Sequence, residues 1–404
     1  MFIHVKKGVN CNEKTKRFEA LILALVLAFS IPNSAWAQGG MCSLAANEHG
    51  QTLRETAQHI LECKSGEFPR NSFAICEELL EIDPILAKKA LDHIESTAIP
   101  IENMLENSPE PVNTFTDSSN SSDRRGMYVR DGDGGYYVYF DEDDLVEEAP
   151  SENGDVSDVN GIEPFDYNDY DAIVDPRYNA HCNSVCKVFS MYNGKPYFGS
   201  GFYVGDDVVA TAAHMLWNVF WEDTLGLCFA DEVYVKQAYA PKSTTSKEPY
   251  GIAFATCTDC NDMVVGASWR DRGSDDDDWG AFKVTKKVGG YSYRPKKQID
   301  VKTYIGENIT IYGYPQPDPS IENSMFRVKG KTVSKPSGLT TTRVLYGSDT
   351  SGGNADGWHG MSGSPVLDKN GNVIAIFIGK TLDGSRSMAV SLDKWLYAAL
   401  KKYE

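Results

Sequence analysis

The chain has 404 residues, 41% of them hydrophobic, and a formal net charge of −18. That is too long for one small domain and supplies apolar material for a sizeable core. The charge is uneven, with 13 Lys/Arg against 32 Asp/Glu in residues 1–172 and 26 against 25 in residues 173–404. The acidity belongs to the first part, and the near-neutral second part gives no reason to expect a nucleic-acid or anionic-membrane partner.

Lys6, Lys7, Lys14, Lys16 and Arg17 precede an apolar run from Ala20 to Ile31, and Ala35-Trp36-Ala37 follows. Basic, apolar and small residues in that order read as an export signal over residues 1–37. A membrane anchor is the alternative, but it needs about 20 apolar residues, and this run has 12. The mature protein is therefore expected to be secreted or periplasmic, with no membrane span. Eight cysteines remain, three before residue 172 and five after it. In an oxidising compartment an even number predicts disulfides, with connectivity open. The competing reading is a thiolate metal site from Cys182, Cys186, Cys257 and Cys260.

Residues 38–106 read as a small helical region, a pro-region or accessory module. Leu53, Ala57, Ile60 and Leu61 recur at helical spacing, as do Leu86, Ala90, Leu91 and Ile94. Asp83-Pro84 marks a helix start. Residues 107–172 read as an acidic, disordered linker or pro-segment, because fifteen acidic residues from Asp131 to Asp171 are unbroken by Lys or Arg. One aromatic island, Tyr136–Phe140, is a candidate strand. Asp131, Asp133 and Glu142 loosely echo a calcium loop, but Gly135 and Tyr136 break the pattern.

From residue 173 the texture becomes short β runs punctuated by turns, as in an all-β barrel or sandwich. Val185–Tyr192 and Tyr197–Val204 flank the hairpin turn Asn193-Gly194, and Val208–Ala213 follows. Later strands are expected at Gly280–Val284, Asn308–Tyr314, Arg343–Tyr346, Pro365–Leu367, Val373–Ile378 and Ser387–Ser391. A terminal helix is expected at Leu392–Lys402, with Trp395, Leu396, Ala399 and Leu400 on one face.

Three segments carry chemistry. Thr211-Ala212-Ala213-His214 ends an apolar strand, and its small residues let the histidine ring turn inward as a general base. Asp278 enters the apolar strand Trp279–Val284, where a buried charge requires a partner such as a histidine N–H. Asp275, Asp276 and Asp277 before it read as a solvated loop. Gly360-Met361-Ser362-Gly363-Ser364-Pro365-Val366 sets a serine in a glycine-flanked turn. There the N–H groups of Gly360 and Ser362 are candidates for an oxyanion hole. Histidine, aspartate and serine are what a serine nucleophile needs as base, orienting group and attacking group.

These three blocks resemble the active-site segments of trypsin-like serine proteases, and most closely the bacterial glutamyl endopeptidases. Gly313-Tyr314-Pro315, Tyr346 with Asp349-Thr350, and Val174-Asp175-Pro176-Arg177 are similar to that branch as well. The resemblance spans residues 173–404. It implies an all-β domain of two six-stranded Greek-key barrels with a C-terminal helix, and synthesis as a zymogen. It also implies peptide-bond hydrolysis by a Ser362–His214–Asp278 triad on protein or peptide substrates, with no cofactor. A protease-like binding protein without catalysis is the alternative reading.

Two departures bear on specificity and activation. Glutamyl-specific relatives keep a histidine in the strand after the serine, where this chain has Phe377, two residues before Gly379. Asp356 lies six residues before Ser362, the separation of the pocket aspartate in trypsin, and raises a Lys/Arg-preferring pocket. The alternative is a solvated Asp356 in a surface insertion. Asp356, Phe377 and Gly379 are thus the candidate pocket residues, with His359 lining the pocket or on its rim. Met361 stands where trypsin keeps the aspartate that pairs with a new N-terminus. Activation is then expected through removal of a covering segment, with the acidic stretch before residue 173 as candidate cover. Candidate processing sites are Ala172–Ile173 and Arg124-Arg125.

Overall fold

The computed structural model describes residues 41–106, 126–140, 170–218, 228–255, 263–315, 324–349 and 359–403, apart from short stretches within those ranges. The expected export signal, Arg124-Arg125, Cys257, Cys260 and Asp356 lie outside the described residues.

Helices α1 (Met41–Glu62), α2 (Ser72–Ile82) and α3 (Pro84–Thr97) come first. The expected start at Asp83-Pro84 forms, with the Asp83 carboxylate accepting from the Leu86 N–H at 3.2 Å. A two-residue strand β1 (Ile99–Pro100) and a short helix α4 (Ile101–Glu106) follow. Then come the hairpin strands β2 (Gly126–Asp131) and β3 (Gly134–Tyr139), and β4 (Tyr170–Ile173).

Next are β5 (Val185–Tyr192), β6 (Lys195–Tyr203), β7 (Val208–Thr211), β8 (Trp217–Asn218), β9 (Cys228–Phe229) and β10 (Glu232–Gln237). The first half of the β domain ends with β11 (Ile252–Phe254), β12 (Met263–Gly266), helix α5 (Ala267–Arg272) and β13 (Gly280–Lys283). Asn193 and Gly194 both have positive φ, the backbone twist a tight hairpin needs between β5 and β6. Strands pair in the order β11-β10-β5-β6-β7-β13, and an Ala255–Val284 bridge joins the two ends into a barrel. Beyond β13 the pairing continues through β12, β2 and β3.

The second barrel is built from β14 (Asn308–Gly313), β15 (Met325–Val333), β16 (Val344–Asp349), β17 (Pro365–Leu367), β18 (Val373–Lys380) and β19 (Ser387–Ser391). Its order β14-β17-β18-β19-β16-β15 closes because β15 pairs back onto β14. Helix α6 (Lys394–Tyr403) ends the fold and buries Leu396, Ala399, Leu400 and Tyr403. Two barrels and a terminal helix are the architecture expected from the sequence.

The acidic span is not disordered throughout. Strand β2 adds to β12, with Val129 opposite Val264, while β4 adds to β15, with Ala172 opposite Phe326. Met127, Tyr128 and Val129 are buried there. Ladder hydrogen bonds outweigh the flanking like charges at these two places, helped at β2 by burial of Tyr128.

The helical region is not a separate body either. Along β5 and β10, Val188, Val233 and Val235 face the barrel interior, while Phe189, Met191 and Tyr234 face outward. The outward set shares one core with Phe73, Cys76, Leu79 and Leu91 of the helices. Phe73 packs edge-on against Tyr234, with ring centroids 4.5 Å apart. Charges on the same face are paired: Lys236 reaches Glu95 at 2.5 Å and Glu248 at 2.7 Å. Among the described residues, Cys63, Cys76, Cys182 and Cys186 are free thiols. No described helix is long and apolar enough to cross a membrane.

Candidate active site

Strand β7 delivers Thr211 and then a single helical turn, Ala213–Met215, that carries His214 inward. The ring is buried, with 1% of the residue exposed. Asp278, at the entry to β13, holds it twice. One carboxylate oxygen accepts the His214 backbone N–H at 3.0 Å, and the other lies 2.7 Å from Nδ1. Nε2 is buried and has no hydrogen-bond partner among the described residues. Burial by itself lowers the affinity of the ring for a proton. The charge and hydrogen bond of Asp278, helped by Glu102 and Asp275, outweigh it and raise the pKa. Burial and the neighbouring charges of Asp278 and Asp276 push the Asp275 carboxyl up to about 6, against a smaller lowering by His214.

The serine turn docks on the strands that lead to this histidine. Ser200 of β6 donates its N–H to the Ser362 carbonyl at 2.7 Å and its hydroxyl to the Gly360 carbonyl at 2.8 Å. Thr211 then donates to the Ser200 carbonyl at 2.7 Å, linking the turn to β7. The Tyr314 N–H donates to the Ser200 hydroxyl at 2.9 Å, which gives the Gly313-Tyr314 pair its place in the site. Gly363 has φ +90°, and a Cβ there would stand 2.0 Å from the Ser200 carbonyl oxygen. Only glycine fits both that backbone conformation and that approach.

The N–H groups of Gly360 and Ser362, the candidate oxyanion donors, converge on a carboxylate. Gly360 N–H donates to Glu102 Oε2 at 2.9 Å and Ser362 N–H to Oε1 at 3.3 Å. The Ser362 hydroxyl also donates to Glu102 Oε1. Beside this, His359 Nδ1 lies 2.8 Å from Asn103 Oδ1. Glu102 and Asn103 belong to α4, and nothing in their sequence neighbourhood signals a link to residues more than 250 positions later.

Of the candidate pocket residues, Phe377 packs in the second barrel's core with Met361, Ile374 and Val366. Its N–H and carbonyl bond to Ser364 and Gly363, so this strand backs the serine turn. Gly379 has φ +138° beside a register shift in β18, and a Cβ there would meet nothing within 4 Å. The aspartate run is not a solvated loop. Asp276 accepts the backbone N–H groups of Thr342 and Arg343 at 2.8 and 2.7 Å. Asp277 is buried against the Arg343 guanidinium.

Two barrels, a buried His–Asp pair, and a glycine-flanked serine turn docked through Ser200 on the strands that lead to it define a chymotrypsin-like β protein. The family model described as the trypsin-like peptidase domain matches residues 199–376. Solved structures similar to it include a Glu endopeptidase in complex with MPD, at 17% identity and TM-score 0.44, covering 58% of this chain and 95% of the other. The thermostable serine protease AL20 from an extremophilic microorganism matches at 20% identity and TM-score 0.42, covering 55% and 96%. The protease Anisep from Arthrobacter nicotinovorans matches at 15% and 0.43, covering 58% and 98%. No curated protein sequence matches the chain.

Proposed function

We propose that the chain is a secreted serine endopeptidase made as a zymogen, with Ser362 as nucleophile, His214 as general base and Asp278 as its orienting partner. The observation that carries this reading is the buried His214 ring, held by Asp278 on one side, with Nε2 left without a partner among the described residues on the other. A carboxylate at Nδ1 fixes the tautomer that leaves Nε2 able to take a proton.

In the proposed reaction, Nε2 takes the Ser362 hydroxyl proton as Oγ attacks the scissile carbonyl carbon. The N–H groups of Gly360 and Ser362 stabilise the oxyanion. Nε2 then gives that proton to the leaving amine, and the C–N bond breaks to leave an acyl-enzyme. A water molecule, activated by the same nitrogen, hydrolyses the ester and restores Ser362. The serine's proton leaves with the amine and a proton from water replaces it, so Ser362 and His214 end as they began and no cofactor is required.

The assignment of segments follows the sequence: signal at 1–37, helical pro-region or accessory module at 38–106, acidic linker or pro-segment at 107–172, and protease domain at 173–404. Export would leave disulfide formation to Cys42, Cys228, Cys257 and Cys260, since the other four described cysteines are free thiols. Burial of Phe377 in the barrel core supports a specificity other than for glutamate.

The test is labelling with a fluorophosphonate probe and turnover of a peptide library, before and after limited proteolysis. Ser362→Ala and His214→Ala serve as controls. Labelling of the wild type that both substitutions remove supports the reading. A chain unlabelled in every form sinks it.

A further inference from the structure

Glu102 ties up two parts of the proposed machinery with one side chain. Its carboxylate accepts hydrogen bonds from the two N–H groups that would hold a reaction oxyanion, and another from the Ser362 hydroxyl. With that hydroxyl directed to Glu102, His214 Nε2 is left orphaned in a buried setting, where an unmade hydrogen bond is costly. A carboxylate suits the place. It carries negative charge on oxygens that accept charge-assisted hydrogen bonds, as a tetrahedral oxyanion does. Unlike a peptide carbonyl, it is a poor electrophile and offers no leaving group, so it occupies the site without being consumed.

The segment bearing Glu102 is fastened on both sides. Strand β1 pairs in parallel with β6 at Tyr197 and Phe198, and Ile101 is fully buried in the core that runs through both barrels. Asn103 contacts His359 at the rim of the serine turn. Behind this strap, α1 to α3 share a core with the barrel. The Glu232 carboxylate also accepts the N–H groups of Phe73 and Ala74 at 3.2 and 2.8 Å, at the start of α2. A ligand tethered this way binds at high effective concentration.

Resting on the serine-peptidase reading above, we propose that the oxyanion pocket of Gly360 and Ser362 is a carboxylate-binding site whose resident ligand is Glu102. The strap 99–106 keeps the intact chain latent by filling it. The cover is then the end of the helical region and not the acidic stretch. Activation requires withdrawal of the strap, while the helices stay docked on the barrel.

The experiment uses the full chain and compares wild type, Glu102→Gln and Glu102→Ala. One readout is the rate of fluorophosphonate labelling. The other is hydrogen exchange across residues 359–363, measured in a Ser362→Ala background so that catalysis plays no part. Loss of charge-assisted hydrogen bonds should raise the labelling rate of Glu102→Ala by roughly 100-fold. Glu102→Gln, which keeps an acceptor but no charge, should fall between. The Gly360 amide should exchange faster in both variants. Labelling that is equally fast in wild type and variants overturns the latency proposal and leaves the peptidase reading standing. Unchanged exchange overturns occupancy of the pocket. Faster exchange with no labelling in any form keeps the carboxylate site and removes the peptidase reading instead.

Discussion

Arg343 forms a buried ion pair with Asp277, the residue next to the one that holds His214. The guanidinium also reaches Asp393, with Nε 2.6 Å and Nη2 2.9 Å from its carboxylate oxygens. Asp393 in turn accepts the N–H groups of Trp395 and Leu396 at the start of α6. Arg343 therefore ties the aspartate loop of the first barrel to β16 and the terminal helix of the second. A planar fork with several donors suits this better than a lysine would.

Arg343→Ala is expected to leave the Asp277 charge buried without its partner and to destabilise the protein by about 3–5 kcal/mol. Thermal melts of wild type and variant check this. Arg343→Lys should recover only part of the loss, because one ammonium cannot serve both carboxylates in two directions.

Gly363→Ala should remove probe labelling and lower the melting temperature together. Its Cβ would meet the Ser200 carbonyl at 2.0 Å and the Thr211 hydroxyl at 2.2 Å, and φ +90° disfavours any L side chain. Retained labelling at the wild-type rate would mean that the turn does not need this docking.

Phe73→Ala tests whether the helices and the first barrel form one cooperative unit. Phe73 lies in the core they share, and its truncation should cost about 3–5 kcal/mol. The whole protein should then melt at a lower temperature in a single transition. A barrel transition that stays put while only the helical signal moves would show separate units.

Burial pushes the Glu232 carboxyl up to about 7 from an ordinary 4.5, against lowering by the N–H groups of Ala74, Phe73 and Ser72. In that window the folded chain holds a proton that the unfolded chain has released. Its contribution to stability therefore falls as pH rises from about 4.5 to about 7. Denaturant titrations across this range should show wild type losing stability relative to Glu232→Gln. Parallel profiles would mean that Glu232 is ionised in the fold throughout.

Much of the β domain was legible because its strands are short, apolar and separated by turn residues, as in Val185–Tyr192, Asn193-Gly194 and Val373–Ile378. Strand β10 was not. Its sequence Glu232-Val-Tyr-Val-Lys-Gln places charges where a strand would normally meet solvent, and here those positions face the helices and find Phe73, Ala74, Glu95 and Glu248. Of the hairpin at 126–139 the aromatic island Tyr136–Phe140 was legible as a candidate strand, but β2 was hidden, since its partner β12 lies far along the chain and its flanks are acidic. Asp276 and Asp277 read as solvated until Arg343 is placed beside them.

By itself the sequence determined an all-β domain of short strands, the order histidine, aspartate, serine, and the glycine-flanked turn, while the two barrels came from the resemblance those blocks carry. Those are local requirements, met by a few neighbouring residues each. The tertiary structure alone decided that the helices share the barrel's core and that Glu102 meets the amides of Gly360 and Ser362. Such a contact joins residues 258 and 260 positions apart, and only the packing of β1 on β6 brings them together.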